Sequence, residues 1–343
     1  MKNRFQTAIR FLISFGLLTL LALLFQQQLS AAVTTVRQAD WRYITLAAIT
    51  YLLFIIISAW RWQILLRAQQ LHYSTWYLAR IFTLGLFFCK LLPTSIGGDV
   101  MRIAYTTQPG KGPQAFSATF LDRLIGFQSL TLLAIVMGII VSLRRASALS
   151  LGVGQFTGMR VVILLVILLL LLVGITLVFF NDTCHRLARR ILEALSGKIT
   201  GLTRITSLID RAYDSVKSYR HQPIALGVSF LSGIGVQAAL SLSWFFTARA
   251  VQAGVALGYY FIFIPILNIV VNIPTIGGLG VREAAFVLFF TPQWLPDRLS
   301  PEQALSTALL FLGLDLVFAL LGGVIFAFTK RTPGKIISKN KEE

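Results

Sequence analysis

The segment Leu92-Pro93-Thr94-Ser95-Ile96-Gly97-Gly98-Asp99-Val100-Met101-Arg102 returns, one residue shorter, as Ile273-Pro274-Thr275-Ile276-Gly277-Gly278-Leu279-Gly280-Val281-Arg282. Each copy closes a short apolar stretch, Ala79 to Leu92 and Tyr259 to Ile273. At 1.5 Å per residue such a stretch gives about 21 to 23 Å of helix, short of a hydrocarbon core of about 30 Å. Proline breaks the helix, and paired glycines let backbone pack against backbone. Each site therefore predicts a re-entrant hairpin, near 79–107 and near 259–290. A doubled break in corresponding places is how a transporter built from repeats displays its substrate site.

Composition places these hairpins in a membrane. Apolar residues make up 56% of the 343 and charged ones 13%, outside the range of soluble domains. Six stretches are long enough to cross as helices: Ile9 to Phe25, Tyr43 to Leu66, Leu121 to Leu143, Val161 to Phe180, Ile224 to Phe246 and Gln303 to Phe328. The first imitates a signal peptide, with a basic flank and small residues near Ala31, but the spans that follow favour an uncleaved first helix. The expected fold is an all-α integral membrane protein of about six full spans plus two re-entrant hairpins. The net charge of +18 lies between and beyond the apolar runs, so it marks cytoplasmic loops against anionic lipid and not a nucleic-acid surface.

Charge also orients the chain. Three Lys/Arg lie at the N-terminus, eight lie between Asn181 and Gln222, and five follow from Lys330, which predicts that all three segments, both termini included, are cytoplasmic. Even crossing numbers then require each hairpin to enter and leave on one side, the first from the cytoplasm and the second from the opposite face. A shift of 181 residues carries Tyr43 onto Ile224, Pro93 onto Pro274 and Asp122 onto Gln303. Span, hairpin and span thus repeat with opposite orientation, giving an inverted repeat of residues 1–150 and 159–329. Residues 183–220 read as an amphipathic cytoplasmic insertion, with Leu187, Ile191, Leu195 and Val216 on one face and Arg189, Arg190, Lys198 and Lys217 on the other. Residues 330–343 are a basic tail.

Arg102 and Arg282 occupy matching places, four residues after the second glycine of each pair. A helix N-terminus offers free N–H groups, and an arginine beside it adds a bidentate donor suited to phosphate. The candidate substrate-binding set is therefore Arg102, Arg282, Gly97, Gly98, Gly277, Gly278, Thr94 and Thr275, although the glycines also suit close helix packing alone. Gating or coupling falls to Asp99, Asp122, Arg123, Glu283 and Asp315. Asp315 lies near the middle of the last span, where a carboxylate either pairs, with Arg102 or Arg282 as candidates, or is held protonated and takes part in proton coupling. Asp122 at the start of its span equally suits a helix N-terminal acid that complements the dipole. The six tryptophans read as interfacial anchors. No nucleotide-binding, hydrolase or zinc spacing is present, so no enzyme activity, cofactor or metal is expected.

The three motifs Leu92 to Arg102, Leu121-Asp122-Arg123-Leu124-Ile125-Gly126 and Ile273 to Glu283 resemble the lysylphosphatidylglycerol synthase transmembrane family, the flippase-like domain proteins. The resemblance covers nearly the whole chain. It implies lipid translocation in a bacterial inner membrane, with the two hairpins as its core. It does not imply aminoacyl transfer, which belongs to a separate soluble domain. The expected partners are membrane lipids with anionic headgroups, and a lipid-synthesising enzyme is a further candidate. Two other functions fit the same residues: transport of a small soluble anion, and a non-transporting membrane partner of a glycosyltransferase or lipid synthase. A lateral opening towards lipid separates the lipid reading from a closed, water-filled cup for a solute.

Overall fold

The structure is a computed structural model that describes residues 39–91, 96–146, 153–180, 213–271, 281–293, 295 and 297–329. The expected first span, the basic tail and most of the insertion lie outside the described residues. So do Thr94, Thr275, Gly277 and Gly278. The described residues form helices and connecting turns without strands. In chain order the helices are α1 Trp41–Ala68, α2 Thr75–Leu91, α3 Ile96–Thr106, α4 Gly112–Ala146, α5 Val153–Phe180, α6 Pro223–Ala250, α7 Leu257–Val270, α8 Val281–Phe290 and α9 Pro301–Phe328. The one-turn 3₁₀ helix Ser218–His221 precedes α6. Four helices, α1, α4, α6 and α9, are long and apolar enough to cross a membrane, and α5 adds the shorter apolar stretch Val162–Leu177.

Local chemistry fixes several boundaries. The Asp40 side chain accepts from the Arg42 N–H at 2.9 Å and caps α1. Ser300 and Gln303 form a reciprocal capping box at the start of α9, with Pro301 in the first turn where its missing N–H costs nothing. Helix α2 stops at Leu91, just before Leu92-Pro93, because proline disfavours helical geometry in the residue ahead of it. Helix α4 starts at Gly112 and not at Leu121. The stretch from Gly112 to Phe120 is too polar to be read as hydrocarbon-crossing, yet Ala115 and Ala118 are fully buried and hold it helical. Asp122 therefore sits inside a helix, away from any N-terminal turn, which removes the dipole-complementing role.

The connections show which helix ends meet. The Tyr73 and Tyr77 hydroxyls donate to the Thr106 and Tyr105 carbonyls, both at 3.0 Å, so the start of α2 and the end of α3 lie side by side. Both are at the Ala68 end of α1. At the other end of α1, the Asp40 N–H donates to the Ala250 carbonyl at 3.0 Å, which places the end of α6 there. Helix α7 follows α6 by a short turn, and the Leu299 N–H donates to the Phe290 carbonyl at 2.9 Å. The α2–α3 and α7–α8 pairs thus open at opposite ends of α1. Packing is reciprocal across the halves: α2 lies along α9, α7 lies along α4, and α1 packs along α6.

The central core joins both halves. Trp244 stacks on Phe311 with centroids 3.8 Å apart and on Phe286 at 4.7 Å, and Tyr51 and Tyr260 are buried in the same core. Trp41, Trp60 and Trp76 are exposed as interfacial anchors should be, but Trp62 and Trp244 are buried. Their positions near span ends were a poor guide because both rings face other helices and not the headgroup layer.

The last turns of the insertion are docked against the protein. Tyr219 is fully buried and donates to the Leu65 carbonyl at 2.7 Å. The Gln69 amide donates to the Ser215 carbonyl at 3.0 Å and the Ser218 hydroxyl at 2.7 Å, while the Ser117 and Ser215 hydroxyls lie 2.7 Å apart. Residues 213–221 therefore tie the end of α1 to the start of α4. Burial pushes the Tyr219 phenol well above its usual range, which keeps it a hydrogen-bond donor.

Candidate functional site

Two glycines bring α3 against α2. A Cβ on Gly98 would lie 2.7 Å from the Gly85 carbonyl oxygen and 2.5 Å from the Cys89 sulfur, so the helices touch backbone to backbone. This close approach drives Arg102 inward. Its guanidinium lies on the Trp62 ring, 4.2 Å from the centroid, and 5.2 Å from that of Phe82. Its Nη2 donates to Asp122 Oδ2 at 2.7 Å and its Nη1 to Asp99 Oδ1 at 3.3 Å. From α1, Arg61 Nε donates to the other Asp122 oxygen at 2.7 Å. Asp122 is 1% exposed, Arg102 6% and Arg61 7%, so one carboxylate bridges two buried guanidinium groups.

Glycine also makes room for Arg61. A Cβ on Gly126 would lie 3.3 Å from both Arg61 terminal nitrogens, and one on Gly233 would lie 3.4 Å from Nη1. The guanidinium therefore packs closely against Gly126 of α4 and touches Gly233 of α6. Asp99 continues the cluster outward by pairing with Arg123, which is about one-third exposed.

A second cluster forms around Asp315 on α9. Its carboxylate accepts from Lys90 Nζ at 2.5 Å, Arg282 Nη1 at 2.6 Å and the Tyr51 hydroxyl at 2.6 Å. Arg282 also reaches Glu283 at 3.4 Å through Nε and Nη2, and its guanidinium carbon lies 5.8 Å from the Phe311 centroid. All five polar side chains are buried within the bundle. Charged groups at this depth are stable only as partners of one another.

The pairing choice for Asp315 is thus Arg282. Arg102 and Arg282 each engage an acid on the long helix that follows their own break, Asp122 on α4 and Asp315 on α9. They share no partner. Helix α1 contributes Arg61 to the first cluster and Tyr51 to the second, and ten residues of helix separate these by about 15 Å. Gly97 and Gly98 lie in the first turn of α3, where both are buried.

Arg61, Lys90 and Tyr51 were not among the candidates read from sequence. Arg61 and Lys90 carried a usable signal, because each interrupts an apolar run that must enter the membrane. Tyr51 carried none, since a tyrosine in a span is ordinary until its hydroxyl is seen on a carboxylate. Among the described residues no cluster of three or more His, Cys, Asp or Glu could hold a metal.

A cleft of about 400 Å³ opens between α2 and α9, lined by Tyr77, Arg80, Ile81, Val324, Ile325, Phe328 and Thr329. Phe328 and Val324 are exposed on its rim, so the walls are largely apolar and Arg80 adds one cation. The cleft lies at the end of the bundle where the α2–α3 pair opens.

The family model described as the lysylphosphatidylglycerol synthase TM region matches residues 7–323. No curated protein and no solved structure matches the chain.

Proposed function

We propose that this chain, which belongs to the lysylphosphatidylglycerol synthase transmembrane family, is a translocase that moves an anionic lipid across a bacterial inner membrane without covalent chemistry. The observation that carries the reading is the pair of buried ion clusters built on the arginines that follow the two helix breaks. A multi-pass protein that served only as an anchor has no use for charges that its fold must neutralise inside the membrane. The apolar cleft between α2 and α9 favours a lipid over a soluble anion. It gives acyl chains a lateral path while the headgroup meets Arg80.

The opposite openings of the α2–α3 and α7–α8 pairs and the reciprocal packing support an inverted repeat. With the basic segment before α6 in the cytoplasm, the α2–α3 pair opens to the cytoplasm and the α7–α8 pair to the far side. In this scheme Arg102 and Arg282 take the headgroup in turn, with Thr94, Thr275 and the four glycines shaping the breaks. Asp99, Asp122, Arg123, Glu283 and Asp315 hold the arginines when no headgroup does. Opening one cluster and closing the other exposes the headgroup to alternate sides, while the acyl chains stay in lipid.

The test is a leaflet assay in proteoliposomes, with fluorescent phosphatidylglycerol and chemical quenching of the outer leaflet. The wild type should move probe well above protein-free vesicles. Arg102→Lys with Arg282→Lys keeps both charges but loses the planar fork and should slow movement at least about tenfold. Equal rates for the two proteins would remove the arginines from the mechanism.

A further inference from the structure

Each buried carboxylate holds two cations, and the second cation differs between the clusters. Asp122 keeps Arg102 on one oxygen and Arg61 on the other, at 2.7 Å each. Asp315 takes both of its cations on a single oxygen, Oδ2, with Arg282 Nη1 at 2.6 Å and Lys90 Nζ at 2.5 Å, while the Tyr51 hydroxyl occupies Oδ1. Lys90 and Arg282 reach that oxygen from opposite halves of the chain, from α2 and α8. Either cation by itself keeps Asp315 from standing as an uncompensated buried charge.

Chemistry separates the two cations. A guanidinium stays protonated in proteins, whereas an ammonium withdrawn from water gives up its proton readily. Of the buried cations Arg61, Arg102, Arg282 and Lys90, Lys90 alone is an ammonium. The groups that face it are Asp315 from α9, Arg282 with Glu283 beside it from α8, Tyr51 from α1 and its own neighbour Cys89 on α2. On α3 the charged residues Arg102 and Asp99 turn to Asp122 and Arg123. Loss of the Tyr51 proton would set a phenolate against a carboxylate, two like charges in one site, while loss of the Lys90 proton leaves a neutral amine.

We infer that Lys90 is a proton-binding site through which one proton is carried with each headgroup. When a phosphodiester headgroup draws Arg282 off Asp315, the carboxylate keeps a cation only if Lys90 is protonated. When the headgroup leaves and Arg282 returns, a Lys90 N–H bond breaks towards water on the open side. The proton departs to that water, and the lone pair stays on a neutral amine beside a carboxylate that Arg282 satisfies. Water on the loading side reprotonates the amine for the next headgroup. The Asp122 cluster, whose two bridged cations are both guanidinium groups, offers no such exchange. The inference rests on the translocase reading for the role of Arg282 in taking the headgroup, but the linkage of proton to headgroup is measurable without lipid movement.

The experiment uses the full chain in weakly buffered detergent micelles with a soluble pH dye, titrated with phosphatidylglycerol over a series of pH values. Binding should take up protons, rising to about one per lipid bound at mildly alkaline pH, because each ligand strengthens the binding of the other. Phosphatidylcholine, which carries no net charge, should cause less than about a tenth of that uptake. Lys90→Arg keeps the charge but holds its proton, and should cut uptake per lipid bound at least about tenfold. Lys90→Met leaves Asp315 without a cation once Arg282 departs, and should weaken phosphatidylglycerol binding at least about tenfold; it keeps the question answerable where Lys90→Arg fails to fold. In proteoliposomes with an imposed pH gradient, the wild type should gather labelled phosphatidylglycerol in the leaflet on the alkaline side faster than protein-free vesicles do. Any movement by Lys90→Arg should ignore the gradient.

No proton uptake by the wild type at any pH, or uptake that Lys90→Arg leaves intact, would overturn the inference. Lipid movement that needs Arg102 and Arg282 but ignores the pH gradient sinks the proton site and spares the translocase reading. Lys90-dependent proton uptake without lipid movement sinks the translocase reading alone.

Discussion

Replacing Asp122 by Asn removes one of two acceptors from a carboxylate that bridges Arg61 and Arg102 at 2.7 Å each. The amide fits the space, but its NH₂ must face one of the guanidinium groups. The cluster then loses a negative charge in a site where Asp122 is 1% exposed. A hydrogen bond to a charged group is worth about 1.5–3 kcal/mol, and breaking a buried ion pair costs about 3–5 kcal/mol. Asp122→Asn should therefore lower unfolding free energy by about 3–5 kcal/mol and stop lipid movement. The informative companion is the triple variant Arg61→Met, Asp122→Leu, Arg102→Met, which replaces the network by apolar side chains of similar size. Such replacements are often neutral or stabilising, so stability should return to within about 1–2 kcal/mol of wild type. Lipid movement should not return. The assays are SDS titration in mixed micelles followed by near-UV circular dichroism, and the proteoliposome leaflet assay. Wild-type transport by the triple variant would show that the charges serve the fold alone, and a wild-type unfolding curve for Asp122→Asn would show that the bridge contributes nothing to it.

Four further outcomes are expected. Gly98→Ala places a methyl 2.7 Å from the Gly85 backbone oxygen, which cannot move aside, and should destabilise by about 1–3 kcal/mol in the same titration; Gly174→Ala on α5 meets nothing within 4 Å and should be neutral or stabilising by up to about 1 kcal/mol. Tyr219→Phe loses the bond to the Leu65 carbonyl, costs about 1 kcal/mol and should speed amide exchange across 213–221. Because burial raises the Tyr219 phenol, folding favours its neutral form: that stability is present in full below the ordinary phenol range and is lost only as pH climbs towards the raised value, so protection of 213–221 should not change through the neutral range. A photo-crosslinking residue at Val324, on the rim of the α2–α9 cleft, should capture phospholipid, while one at exposed Leu143, away from the cleft, should capture several-fold less.

Much of the fold was legible because membrane crossing imposes a length rule on apolar runs. Tyr43 to Leu66, Ile224 to Phe246 and Gln303 to Phe328 fall within α1, α6 and α9. The start of α4 was not legible, since tertiary burial of Ala115 and Ala118 extends a helix through residues that hydropathy alone assigns to a loop. The site was half legible. Arg102, Asp122, Arg282 and Asp315 carry signals of position, being charges beside breaks or inside spans. Their partners depend on which helices meet, and periodicity within one helix says nothing about that. Tyr51 joins the second cluster because its ring packs on Phe311 and Phe318 of α9, while Gly322 lets α9 sit against the α2 backbone at Thr83.

The partnership of Lys90 with Asp315 spans 225 residues of chain. At a synthesis rate of about 5–20 residues per second, the ribosome needs about 11–45 s to make the intervening chain after Lys90 has emerged. Throughout that interval the lysine has no carboxylate to meet, and α2 has no α9 to lie against. The first half is thus made before its final partner and completes its packing only when the last helix arrives. Nascent chains that end before Asp315 should be recognised by membrane proteases, and the exposed ammonium on α2 would be the mark that betrays them.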